Sequence, residues 1–331
     1  MARSLLVPAA LLAAACADSG SADGSREAAA SPLADERIAA LERLVGNSPD
    51  GVIAFLSTEA GGLVLMDPTS GRTEYVTKGF TPEWSRNGRA LSYMWEGRIY
   101  LVETDAWSAR RLPVAPFPFD PPFQVRPVLS PDGEQIAYGR YGGIVLSDLT
   151  GAEASYLTPP SAGDDLMPAW SPDGRRIALV RRGDIHVMDA DGSGMANLTG
   201  DGAGNRDPEW SPAGDRIAYS SGRGGDRKIW TILADASVRR VVTAGADTEA
   251  QRHFHPSWSP DGSRIVFEGW GAEGRPSAEL YVVEVEGGEV RRLTESPGFD
   301  GRPSWGSVRG ADRGQSEEGI IGSGRPRRPG A

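Results

Sequence analysis

The phrase Pro-x-Trp-Ser-Pro-Asp-Gly, followed each time by a short apolar run, recurs along this chain. It stands complete at Pro168-Ala169-Trp170-Ser171-Pro172-Asp173-Gly174 and at Pro256-Ser257-Trp258-Ser259-Pro260-Asp261-Gly262, and with Ala213 in place of Asp at Pro208-Glu209-Trp210-Ser211-Pro212-Ala213-Gly214. The tryptophan position is taken in turn by Trp84, Leu129, Trp170, Trp210, Trp258 and Trp305. Self-similarity at a period of roughly 40–45 residues argues against a two-layer domain. It points to a radial array in which each repeat buries its apolar face against the next.

Each repeat reads as four short strands. Pro-Asp-Gly between two apolar runs is a turn: Pro presets φ, Asp bonds its own backbone, and Gly accepts positive φ. The runs after it are Gln135–Tyr138, Ile177–Val180, Ile217–Tyr219 and Ile265–Phe267. A third strand follows at Arg98–Val102, Ile144–Asp148, Asp184–Asp189 and Leu280–Val283. A fourth ends in Leu157-Thr158, Leu198-Thr199, Val242-Thr243 or Leu293-Thr294. Four antiparallel strands make one propeller blade.

Ser48-Pro49-Asp50-Gly51 opens a blade without its Pro-x-Trp strand, and Pro303-Ser304-Trp305 is a Pro-x-Trp strand with no blade after it. Joining them predicts an all-β, six-bladed propeller over residues 48–305, closed by a C-terminal strand that completes the first blade. Closure removes exposed sheet edges. The recurrent Trp side chains are expected between blades.

Residues 1–15 carry Arg3 and an apolar stretch from Leu5, as an export signal does. Small residues then run into Cys16, the single cysteine, resembling a bacterial lipobox with Ala13 where Leu is usual. Lipidation at Cys16 is expected to tether the protein to a membrane; ordinary secretion is the alternative. Residues 16–34 read as a flexible tether and residues 35–47 as a short helix and entry segment, with apolar side chains spaced onto one face. Residues 306–331 hold almost nothing to bury and are expected to be disordered. The net charge of −10, with only Lys78 and Lys228 as lysines, leaves no basic stripe for phosphates and argues against nucleic acid.

The Trp-Ser-Pro-Asp-Gly-x-x-Ile-Ala-Tyr phrase, the Ile-x-Val-x-Asp strand and the Leu-Thr ending resemble the WD40-like PD40 repeats of TolB-like β-propellers. Met188-Asp189-Ala190-Asp191-Gly192-Ser193 through Leu198-Thr199 is an especially close match. The resemblance implies a periplasmic or cell-surface binding protein of the envelope. Similar repeats also precede the hydrolase domain of prolyl-oligopeptidase-like peptidases, but the sequence holds no Gly-x-Ser-x-Gly elbow.

Strand alternation places the second-to-third-strand turns and the blade-to-blade crossings at one end of the ring. That face gathers Trp95, Tyr141, Arg181, Arg182, Arg223, Arg227 and Trp270 on its turns, and Phe117, Phe119, Phe123, Asp164 and Asp165 on its crossings. Trp95, Tyr141, Arg182, Arg223 and Trp270 are of the types that anchor interfaces, and are the candidate partner-binding residues. The alternative is that the aromatics only pack loops onto the rim.

His186, His253 and His255 fall toward the same face, and Asp165, Asn205 and Asp300 occupy the position of His253 in other blades. A divalent cation held there would make the protein a metal-dependent carbohydrate-active enzyme. The arrangement resembles the oligogalacturonate lyases, with Gln251 near His253. The alternative for these polar residues is hydrogen bonding within the crossings. Asp189-Ala190-Asp191-Gly192-Ser193 lacks the Glu of a calcium loop and reads as a turn. The sequence therefore favours a monomeric binder of an envelope protein or peptide, without cofactor and with no catalytic residue to assign, over the metal-dependent enzyme.

Overall fold

The computed structural model describes residues 35–114, 126–160, 165–222, 226–244, 250–271 and 277–308. Chain entry is a helix, α1 (Asp35–Gly46), followed by six four-stranded antiparallel sheets. Blade 1 contains β1 (Val52–Ser57), β2 (Gly62–Met66) and β3 (Thr73–Thr77). Blade 2 contains β4 (Phe80–Trp84), β5 (Ala90–Trp95), β6 (Arg98–Glu103) and β7 (Ser108–Arg111). Blade 3 is β8 (Val128–Leu129), β9 (Gln135–Arg140), β10 (Gly143–Asp148) and β11 (Ala154–Tyr156). Blade 4 is β12 (Leu166–Trp170), β13 (Arg176–Arg181), β14 (Asp184–Asp189) and β15 (Ala196–Asn197). Blade 5 is β16 (Arg206–Trp210), β17 (Arg216–Ser221), β18 (Lys228–Leu233) and β19 (Arg239–Val241). Blade 6 is β20 (Arg252–Trp258), β21 (Arg264–Trp270), β22 (Ala278–Glu284) and β23 (Arg291–Arg292). The last strand, β24 (Asp300–Gly306), pairs with β1 and supplies the innermost strand of blade 1. The ring closes as the split repeat requires.

The turn chemistry is local. In blade 4 the hydroxyl of Ser171 donates to Asp173 (2.6 Å), and the amides of Arg175 and Arg176 donate to the Asp173 carboxylate (3.1 Å) and the Ser171 hydroxyl (2.9 Å). Where Ala213 replaces the aspartate, Asp215 takes the Ser211 hydroxyl instead at 2.8 Å. In blade 2 Asn87 fills the aspartate position and accepts from Ser85 (2.8 Å) and from the Arg89 amide (3.0 Å), so the turn persists without its charge.

The tryptophans lie between blades. Trp210 packs with Met167, Ala178, Val180 and Val187 of blade 4, and the Arg176 guanidinium lies 4.6 Å from its ring centre. Trp258 sits against Ala218 and Ile229 of blade 5, Trp305 against Val266 and Val282 of blade 6, and Trp170 against Ala137 and Ile144 of blade 3. Trp84 is half-buried. Helix α1 buries Leu41 and Leu44 against Val76, Tyr93 and Trp107 at the rim of blades 1 and 2.

The Leu-Thr endings fall just past the fourth strands, not within them. There the Thr hydroxyl oxygen accepts an amide near the start of the third strand: Thr158 from Ile144 (2.9 Å), Thr199 from Ile185 (3.0 Å), Thr243 from Ile229 (3.0 Å) and Thr294 from Leu280 (3.0 Å). The repeated threonine thus satisfies a buried donor where the outer strand has stopped.

Candidate functional site

The residue before each repeat proline adopts positive φ: Thr81 (51°), Arg126 (29°), Met167 (55°), Asp207 (56°), His255 (48°) and Arg302 (55°). Registers slip at this point in blades 2, 4, 5 and 6, the signature of a β-bulge. Left-handed backbone at a non-glycine residue is costly, and it persists here because the innermost strand bends at each proline. The six residues, one per blade, line a single depression at the crossing end of the channel. It encloses only about 20 Å³, so their own side chains nearly fill it.

His255 organises one side of this socket. Its Nδ1 lies 3.1 Å from Glu268 and its Nε2 3.4 Å from Asp207, both buried carboxylates. Glu268 also accepts from the Arg302 amide (2.9 Å) and from the Trp270 indole, tying blade 6 to the closing strand. Burial opposes the charge of both carboxylates, yet His255 holds Glu268 below its ordinary range. For Asp207, His255 with Arg126 and Arg206 brings the carboxyl down to about 2.

Beneath the socket the channel is partitioned by charge. Arg126 of blade 3 donates to Glu83 of blade 2 (2.5 Å) and to the Pro208 carbonyl of blade 5 (3.0 Å), and lies 3.6 Å from Glu209. Burial disfavours the Arg126 charge, but Glu83 and Glu209 more than offset it. Burial pushes the Glu209 carboxyl up to about 7 against the pull of Arg126, with Glu83 adding to the rise. Below the partition a second chamber of about 390 Å³ is lined by the Ser-Pro-Asp-Gly turns and the inner tryptophans. Arg126 and Glu83 line both chambers, which face opposite ends of the ring.

Residues 121–254 match the family model described as the TolB beta propeller domain. The full ring superposes on a putative TolB from Agrobacterium tumefaciens with a TM-score of 0.60 at 23% identity, covering 78% of this chain and 91% of that one. On TolB from Acinetobacter baumannii it gives 0.65 at 21% identity, covering 81% and 70%. It has the fold of a TolB-type β-propeller. By sequence, 99 residues are 34% identical to the Tol-Pal system protein TolB of Anaeromyxobacter dehalogenans (strain 2CP-C), 30% of this chain and 21% of that protein. A further 33% identity over 105 residues is to the uncharacterized peptidase YuxL of Bacillus subtilis (strain 168), 30% of this chain and 15% of that protein. The matched segment is therefore a minor part of these relatives' length.

In this propeller the crossings and second-to-third-strand turns do share one end. The Asp165 amide donates to Gly142, Asn205 to Gly183 and His253 to Arg227, each crossing pairing with the preceding blade's turn. Tyr141 (49% exposed) and Arg182 are open there, in type I′-like turns with Gly142 and Gly183. Trp95 is half-buried against the core of blades 2 and 3. Trp270 departs from expectation. It is 8% exposed and packs on Phe299 at 5.6 Å, so it holds the closing strand rather than presenting a surface. Arg223, Phe117, Phe119, Phe123, Asp164 and Cys16 lie outside the described residues.

The three histidines do not converge on one ion. His253 is fully buried, with Nδ1 2.9 Å from the Thr243 hydroxyl oxygen and Nε2 3.2 Å from the Ala250 carbonyl, leaving no nitrogen for a metal. His186 lies on β14 of blade 4, its Nδ1 3.4 Å from the Asp184 carbonyl, and His255 is engaged by two carboxylates. Among the described residues no group of three or more His, Cys, Asp or Glu side chains is arranged to hold a metal ion. Asp165, Asn205 and Asp300 likewise sit buried under their crossings instead of ringing the mouth. Asp165 takes a bidentate pair of hydrogen bonds from Arg181 (2.6 Å each), and burial pushes the Asp300 carboxyl up to about 6. The residue two places later is the one that reaches the channel. Aligning the chain on the repeat proline and reading the residue before it would have found the socket.

Proposed function

We propose that this TolB-like propeller is a non-catalytic cell-envelope protein that binds a protein or peptide partner across its crossing face. The observation that carries this reading is the socket of six pre-proline residues. Its six side chains are of five types, Thr, Met, Asp, His and two Arg, and they nearly fill the depression they line. A filled, chemically varied floor suits an extended contact surface more than the deep pocket in which a small substrate is buried. Exposed Tyr141, Arg182 and Arg206 stand around it, of the types that dominate binding energy. The Anaeromyxobacter relatives are named for the Tol-Pal system, which favours an envelope partner. Export by residues 1–15, anchoring through Cys16 to the periplasm or cell surface, and a monomeric state belong to the same proposal.

The test is affinity capture from envelope extracts with the purified protein and two variants of unchanged fold. A partner retained by the wild type and by Arg175→Glu at the opposite end, but lost with Tyr141→Ala/Arg182→Glu/Arg206→Glu, supports the reading. Equal capture by both variants overturns it.

A further inference from the structure

At the opposite end of the ring, blade 2 departs from the repeat. Five turns read Ser-Pro, at Ser48-Pro49, Ser130-Pro131, Ser171-Pro172, Ser211-Pro212 and Ser259-Pro260, whereas blade 2 reads Ser85-Arg86-Asn87-Gly88. Asn87 reproduces the turn's hydrogen bonds without an aspartate's charge. The exchange of Pro-Asp for Arg-Asn therefore leaves the backbone as it is and turns a local negative charge into a positive one.

The Arg86 side chain enters the channel. Its Nη2 donates to the Trp210 carbonyl of blade 5 at 2.5 Å, reaching across from the facing side of the ring. Arg86 retains a large exposed surface, yet burial is the main influence on its guanidinium, lowering its pKa against the opposing pull of Glu209 and Glu83. Open to solvent but enclosed by protein describes a group standing in a chamber, and Arg86 lines the one of about 390 Å³.

Its charge is poorly matched by the protein. Glu83 is taken by Arg126 at 2.5 Å; Glu209 accepts the Trp258 amide (3.2 Å) and the Ser257 hydroxyl (3.1 Å) on Oε1, while its Oε2 lies 3.6 Å from Arg126 without a hydrogen bond. No carboxylate among the described residues lies within ion-pair distance of Arg86. A guanidinium has five donors in a fork shaped for a carboxylate, and Arg86 gives one to a neutral carbonyl. The walls beside it are apolar: Trp84, Trp170, Pro131, Pro172 and Pro212.

We propose that this chamber binds a carboxylate carrying an apolar body, with Arg86 taking the carboxylate and the tryptophan and proline walls taking the body. A small organic acid and the free C-terminus of a peptide ending in an apolar residue share this chemistry. The site lies at the opposite end of the ring from the crossing face, so it stands or falls independently of the partner proposed there.

The experiment is calorimetric and saturation-transfer NMR titration of the full chain with N-acetyl-L-leucine, its amide, a short peptide ending in free leucine, and that peptide amidated. At least one free acid is expected to bind and its amide to fail. Arg86→Gln should weaken binding by about tenfold or more, Arg86→Lys less, and Arg86→Pro, which restores the repeat, should abolish it with the fold intact by circular dichroism. Binding of N-acetyl-leucine alone identifies small acids as the source, and binding of the free peptide identifies chain termini. Equal binding of acids and amides, binding retained in Arg86→Pro, or no binding of either acid at roughly 10 mM overturns the proposal.

Discussion

The ring Nδ1 of His253 lies 2.9 Å from the hydroxyl oxygen of Thr243, which already accepts the Ile229 amide at 3.0 Å. The threonine proton is therefore free to point at the imidazole. The Ala250 carbonyl, 3.2 Å from Nε2, can only accept. The carbonyl contact requires a proton on Nε2, and the neutral ring then leaves Nδ1 to accept the Thr243 hydroxyl proton.

That relationship makes His253 a source of acid sensitivity. Burial, with Lys228 adding to it, lowers its pKa to about 4, whereas in the unfolded chain it titrates near 6.5. A depressed base stabilises the fold above its unfolded value and loses that contribution as pH falls toward the folded one. Urea unfolding at pH 7 and pH 4.5 should show a loss of up to about 3 kcal/mol attributable to this residue. His253→Asn, which places there the residue that blade 5 carries as Asn205, should abolish most of the difference.

Glu209 should act in the reverse sense. Its carboxyl, raised to about 7 by burial, favours the fold below its unfolded pKa and loses that advantage as pH rises through 7. Gln at this site keeps an acceptor for the Trp258 amide. The stability of Glu209→Gln relative to wild type should therefore increase from pH 5 to pH 8, by roughly 1–3 kcal/mol. A flat difference across that range would show that Arg126 keeps the group ionised throughout.

Truncating a Trp between blades should cost more than any change on the turns. Trp210 is fully buried between blades 4 and 5, and Trp210→Ala is expected to lose about 3–5 kcal/mol in chemical denaturation. Trp84→Ala should lose less, because Trp84 is only half-buried.

Removing residues 299–331 deletes β24, the β1 partner and the Ser304 hydroxyl that accepts the Trp84 amide at 2.9 Å. Blade 1 is then left with β1 as an unpaired inner edge. Size-exclusion chromatography should show aggregated or oligomeric material in place of a compact single species. A well-behaved monomer would mean that the ring holds without its closing strand.

The architecture was legible because it is written in local, repeated chemistry. Ser-Pro-Asp-Gly makes its turn from its own atoms, the Trp position recurs once per repeat, and the split first blade announces its own closure. The repeat also marks where the periodic pattern breaks, at Arg86, but not what the break does. The socket was harder to read. Met167, Asp207, His255 and Arg302 stand in one ring only because each inner strand bulges at its proline, whereas Asp165, Asn205, His253 and Asp300, two residues earlier, are folded under the crossings. Simple alternation puts residues two apart on the same side, and the left-handed kink separates them. Trp270 was placed at the surface by its loop position and is buried by Phe299, far away in sequence. Arg126 joins Glu83 of the neighbouring blade to Glu209 two blades away, and Arg86 reaches Trp210 three blades away around the ring. The chain encodes each blade by neighbours in sequence; what fills the channel is decided by residues that meet only when the ring has closed.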